Sequence, residues 1–179
     1  GLVTSATDCI IRRCVVTGMR GSGFRMHTGS GSHWVECEAY NNNLGNNVTS
    51  GGFHGTSGTQ VFTRCISHDN AGSNSRGFYM VGAEVILQFC IADTNGSIGF
   101  DNPDHLYGCE AYNNGGDGVV FGADQCYIEN SNLLKNTGYG IAASSTQTVH
   151  VWIIGCGFGA GTQVNSSGAV SNTAKCVEV

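Results

Sequence analysis

Leu106-Tyr107-Gly108-Cys109-Glu110-Ala111-Tyr112-Asn113-Asn114-Gly115-Gly116-Asp117-Gly118-Val119 is the plainest copy of a unit that recurs along the whole sequence. Aligned on its cysteine, the unit returns every 19 to 28 residues: Cys14, Cys37, Cys65, Cys90, Cys109, Ser131 in place of cysteine, then Cys156. Three residues earlier stands a bulky column: Ile11, Trp34, Phe62, Leu87, Leu106, Ile128, Ile153. Two residues after the cysteine comes a smaller one: Val16, Ala39, Ser67, Ala92, Ala111, Leu133, Phe158. Five after it comes asparagine, at Asn42, Asn70, Asn95, Asn114 and Asn136, with Met19 and Gly161 at the ends. A glycine and an apolar residue close each unit, from Gly23-Phe24 to Gly140-Ile141. Columns held in register over this many units define a repeat protein, in which each unit buries its apolar side only by stacking on its neighbours.

Composition agrees. The chain has 179 residues, 28 glycines, one proline and only 12% charged residues, which excludes a charged helical bundle. Its 40% hydrophobic content is too high for disorder. A net charge of −5 with singly scattered Lys and Arg argues against a nucleic-acid surface. No apolar run reaches the roughly 18 residues of a membrane span. The nine cysteines are odd in number, so at least one is unpaired. Six of them occupy one column where a small buried hydrophobe belongs, which predicts a reduced core ladder. A reduced ladder suits folding in a reducing cytosol.

Within a unit, inward and outward residues alternate with kinks. Phe62 and Cys65 both point inward, so a bend separates them; Phe78 and Met80 point inward and Tyr79 outward. The pattern predicts three short strands per unit, joined by turns rich in Asn and Gly. Asparagine suits such corners because it bonds nearby backbone and tolerates a left-handed conformation. A unit of this length and pattern resembles the right-handed parallel β-helix of pectate lyases, mannuronan C5-epimerases and phage tailspikes. The resemblance covers nearly the whole chain and implies an all-β solenoid of about seven coils, residues 1–179 forming one domain. Gly1-Leu2 stands at the closing position of a unit, 13 residues before Cys14, as Gly52 stands before Cys65. The reading expects residue 1 to be an internal point of a longer protein.

Function is sought where the repeat breaks. The corner after the asparagine column is enlarged in two adjacent units, at residues 43–51 and 71–76. Two such loops on neighbouring rungs form one wall, and loops on rigid scaffolds often bind ligands. Beside that wall runs the outward position after the closing pair: Arg25, His54, Tyr79, Asp101, then Val120 and Ala142. An arginine can neutralise a uronate carboxylate, and His with Tyr can serve as base and acid at C5. Arg25, His54, Tyr79 and Asp101 are therefore the candidate catalytic residues, and Asn46, Asn47, Asn74, Arg76 and Tyr79 the candidate substrate-binding ones. The segment Gly99-Phe100-Asp101-Asn102-Pro103-Asp104-His105 resembles the Tyr-Gly-Phe-Asp-Pro-His motif of mannuronan C5-epimerases. It departs from it in having Ile98 for the tyrosine, and Asn102 and Asp104 interrupting Asp-Pro-His.

Other constellations are weaker. The calcium cluster that pectate lyases would imply is not matched, because Asp93, Asp117 and Asp124 share no column. No cysteine pair has zinc-site spacing, so no metal or cofactor is expected. Glu38 and Glu110 share an outward column three rungs apart. The expected partner is a polysaccharide, bound by the domain of a phage tailspike or similar fibre, folded in the host cytosol and carried on the virion. Tailspike resemblance further implies a homotrimer. A secreted polysaccharide lyase or epimerase, or a structural spacer, are the alternatives.

Overall fold

In the computed structural model, residues 1–27, 30–81, 84–122, 125–143, 150–158 and 164–165 are described; Asp124, Gly161 and Cys176 lie outside them. The chain is an all-β parallel solenoid with three parallel sheets. The first sheet contains Leu2–Thr4, Phe24–Met26, Gly51–Gly55, Arg76–Met80, Phe100–Asp101, Val119–Phe121, Ile141–Ala143 and Val164–Asn165. The second runs from Ile10–Arg12 to His150–Ile154 and the third from Val15–Thr17 to Gly157–Phe158. Each strand pairs with the strand one unit on, and the registers reproduce the sequence columns: Phe24, Phe53, Phe78 and Phe100 are successive partners, as are Trp34, Phe62, Leu87 and Leu106. Among the described residues no helix is long and apolar enough to cross a membrane.

The interior follows from those columns. Phe24, Phe53, Phe78 and Phe100 stack face to face, with centroids 4.8, 4.7 and 5.1 Å apart. Trp34 and Phe62 meet that stack edge-on from the second sheet. Such pairs add about 0.5–1.5 kcal/mol each beyond the area they bury. Among the described residues no two cysteines form a disulfide, as the ladder reading expects. Cys37, Cys65, Cys109 and Cys156 each donate from Sγ to a carbonyl of the preceding rung. At Ser131 the hydroxyl instead donates to Glu129 O and accepts the Cys109 N–H. Burial pushes the Cys90 and Cys126 thiols up, which leaves them protonated and inert.

The corners differ from expectation in one respect. The left-handed residue is not the column asparagine but the residue before it: Asn41, Asp69, Thr94, Asn113 and Lys135 have φ between 50° and 55°. The bend before the cysteine is built the same way, by Arg13, Glu36, Arg64, Phe89 and Asn130. For side chains such as Thr and Phe this conformation costs on the order of 1–3 kcal/mol. It persists because the N–H of the strained residue still bonds the next rung, as in Phe89 N–H to Tyr107 O at 2.8 Å and Thr94 N–H to Tyr112 O at 3.0 Å.

The asparagine that follows makes the reach backward. Asn42, Asn70, Asn114 and Asn136 accept at Oδ1 from the backbone N–H of Met19, Asn42, Asn95 and Asn114 respectively, at 3.0–3.1 Å. Their amides, with that of Asn95, donate to the carbonyls of Val16, Ala39, Ala92, Ala111 and Ser67 on the preceding rung. Glycine in the closing pair is dictated by the same side chains. A Cβ at Gly77, Gly99 or Gly118 would lie 2.9, 2.9 and 2.8 Å from the amide nitrogens of Asn95, Asn114 and Asn136. Asn114→Ala leaves a buried N–H and a buried carbonyl without partners, and should cost about 1–3 kcal/mol in chemical denaturation. Gly99→Ala should destabilise in the same direction by displacing Asn114. A surface substitution such as Glu110→Gln is the neutral control. Thiol titration of the unfolded, unreduced chain should find at least the eight described cysteines free.

Candidate functional site

Residues 43–51 and 71–76 do form one wall. The first loop folds back on the corner of the preceding unit: Asn43, Leu44 and Gly45 donate to the carbonyls of Gly21, Met19 and Arg20. Buried Asn43 shapes the loop from within. Its Oδ1 accepts the Asn47 N–H at 2.7 Å, and its amide donates to Asn47 O at 3.0 Å and Ser75 Oγ at 2.9 Å. The second loop leans on the first, with Asn74 N–H donating to Asn46 Oδ1 at 3.2 Å. Arg76 Nη1 donates to Val48 O.

The floor also has the expected register: Arg25, His54, Tyr79 and Asp101 are successive partners on the first sheet. The four nevertheless do different things. Arg25 and His54 line a cavity of about 430 Å³, with Val3 beside them, Met19, Arg20, Gly21 and Ser22 at the corner, and Asn47, Thr49 and Ser50 on the wall. That volume lies within the range of about 300–1,000 Å³ typical of small-ligand sites. Tyr79 and Asp101 are engaged by Arg76 instead. The guanidinium carbon of Arg76 lies 4.2 Å from the Tyr79 ring centroid, and its Nε is ion-paired with Asp101. Tyr79 also stacks on His54 at 4.9 Å. The Tyr79 ring thus braces the wall and His54, and is not an open platform. Of the predicted binding residues, Asn47 lines the cavity, Asn46 and Asn74 join the loops, and Arg76 clamps them to the sheet.

His54 is 5% exposed although its position faces outward. Burial, and then the charges of Arg25, Arg76 and His27, pull its pKa down to about 4, so its imidazole is neutral at neutral pH. Burial raises Asp101, and the Arg76 guanidinium opposes that rise. Arg20, which shares the cavity with Arg25, is not evident from the columns. The only signal for it is that it follows Met19 at the corner against which the enlarged loop folds.

The segment from Asp101 to His105 divides between two sheets. Asp101 ends a strand of the first and His105 begins one of the second. Between them Asn102, at φ 61°, accepts the Gly122 N–H, and Asp104 accepts the Val85 N–H at 2.7 Å. These residues build a turn. On the third sheet His68 lies between Asp69 and Glu38 at 2.8 and 2.9 Å, and stacks on Tyr40. Both of its ring nitrogens are committed, so it offers no free base. Burial opposes its protonation, but the two carboxylate partners prevail and raise its pKa.

The sequence matches no protein-family model and no curated protein at a significant level. The class the fold defines is the parallel β-solenoid.

His54 and His68 should titrate on opposite sides of the ordinary histidine value near 6.5. For His54 the folded pKa is depressed, so between about pH 6.5 and 4 the unfolded chain binds a proton that the folded chain refuses. Its contribution is therefore present above that window and lost as pH falls through it. His54→Gln should flatten the acid-side slope of stability against pH. Two-dimensional NMR of the imidazole resonances checks both positions.

Proposed function

We propose that the chain is the carbohydrate-contacting solenoid domain of a phage tailspike or similar fibre, binding an acidic surface polysaccharide through the cavity between loop 43–51 and the first sheet. The observation that carries this reading is the pairing of Arg20 and Arg25 in one cavity of about 430 Å³. Among the described residues neither arginine forms a salt bridge. Two guanidinium groups offer forked donors for uronate carboxylates. Asn47, Thr49, Ser50 and Ser22 supply hydroxyl and amide partners for sugar hydroxyls.

A second reading, a secreted polysaccharide lyase or C5-epimerase, draws on His54. An imidazole held neutral beside Arg25 can take the C5 proton of a uronate whose carboxylate the arginines neutralise. Tyr79, stacked on His54, is the phenol that this reading assigns as its partner.

Arg25→Ala and Arg20→Ala should each weaken binding of an acidic polysaccharide about tenfold or more, since a charge-assisted hydrogen bond is worth about 1.5–3 kcal/mol. Both side chains are exposed, so the melting temperature should stay the same. Affinity should fall as salt is raised. Binding that survives the double variant would refute the cavity. If the preparation depolymerises or epimerises the glycan, His54→Gln should abolish turnover with affinity largely kept, which favours the enzyme. Native mass adds a discriminator: three chains support the fibre and one chain the secreted enzyme.

A further inference from the structure

The charges of the chain are segregated along its length. Between Arg76 and Lys135 the sequence contains eight Asp and Glu and no Lys or Arg. In that acidic stretch a second cavity, of about 270 Å³, opens on the outward side of the second sheet. Its lining is Glu84, Ile86, Asp104, His105, Gln125 and Tyr127. Ile86, His105, Tyr127 and Trp152 are successive partners on neighbouring strands, so the sheet register itself sets an apolar residue and three rings in line.

The rings are not evenly stacked. Trp152 covers one side of Tyr127, with centroids 4.4 Å apart and planes within 6°. On the other side His105 stands 5.7 Å away and tilted by 53°, and the cavity lies where those two rings diverge. Part of the Tyr127 ring therefore faces open space flanked by carboxylates. Among the described residues no Lys or Arg makes an ion pair with Glu84 or Asp104. Burial raises Asp104; its bond from Val85 N–H opposes the rise, and the charge of Glu84 adds to it. A third acidic side chain stands close by: Glu129 Oε1 is 3.4 Å from His105 Nε2. Negative charge thus converges beside an aromatic ring with no Lys or Arg paired to Glu84 or Asp104 among the described residues.

We propose that this cavity is a second binding site, specific for an amino sugar whose protonated amine sits between Glu84, Asp104 and the Tyr127 ring. A cation over an aromatic face is attracted by the ring quadrupole, and carboxylates in a low-dielectric recess strengthen the attraction. Tyr127 and Ile86 offer an apolar surface to the C–H side of a pyranose, and Gln125 donates to and accepts from its hydroxyls. At about 270 Å³ the recess has room for a single sugar ring. It is independent of the arginine-lined cavity: the two differ in sheet and in sign of charge, so one molecule binds acidic and basic glycan residues at separate places.

Isothermal titration with a fully deacetylated glucosamine trimer tests the site, with the N-acetylglucosamine trimer, cellotriose, Nα-acetyl-lysinamide and calcium chloride as separate arms. The deacetylated trimer should bind at least tenfold more tightly than either neutral trimer. Glu84→Gln should weaken it about tenfold and Tyr127→Leu should weaken it similarly. Both are exposed positions, and an unchanged melting temperature verifies the fold. Arg25→Ala should leave this binding unchanged, which separates its failure from that of the first cavity. Equal affinity for charged and neutral trimers overturns the ammonium assignment. Lysinamide binding as tightly as the trimer overturns the sugar assignment. Calcium binding lost in Glu84→Gln, with no trimer binding, replaces the site with a metal site. Absence of binding in every arm overturns the proposal.

Discussion

The architecture rests on one hydrogen-bond exchange, in which an asparagine side chain reaches back a full rung and satisfies both a backbone N–H and a carbonyl there. The turn between the third sheet and the first has no strand pairing of its own, so its buried polar groups need partners from outside the turn. Asparagine offers a donor and an acceptor on one planar head, which a single inward position requires. The glycine of the closing pair exists to leave room for that head, and the left-handed residue before it aims it inward. Three sequence columns that look independent are therefore one device.

The core is more ordinary. It obeys the one-dimensional logic of solenoids, in which each coil is stabilised by its two neighbours. A face-to-face stack of Phe24, Phe53, Phe78 and Phe100 runs through the first half, giving way to Val119 and Ile141. The rings diminish where the enlarged loops end. The aromatic part of the interior thus underlies the coils that carry the wall.

Much of this was legible in the residues. The cysteine, bulky, small, asparagine and closing-glycine columns place every rung, because in-register stacking puts equivalent residues at equivalent depths. The column of Arg25, His54, Tyr79 and Asp101 was legible for the same reason. What the columns do not encode is contact within the outward surface. Arg76 opens the strand that follows the second loop, yet it spans from Val48 to Asp101 and covers the ring that would otherwise face a ligand. Nothing in its spacing distinguishes that from a free side chain. No column points to Arg20, because the enlarged loop folds toward the unit before it, a direction the columns do not record. The left-handed corners were misplaced by one residue for a simpler reason. Arg, Glu, Thr, Phe and Lys occupy such bends alongside Asn and Asp, so residue type alone does not mark them.

Solenoids change length by losing or duplicating whole coils, and the Arg76 clamp sets where this chain can tolerate such events. Its partners lie on three successive rungs, at Val48, Tyr79 and Asp101. Excision of a coil between residues 42 and 101 would sever the clamp and take one half of the wall with it. Duplication beyond residue 119 would lengthen the solenoid and leave the arginine-lined cavity intact. The span of a single side chain thus fixes the number of coils before residue 101 and places no such constraint beyond residue 119.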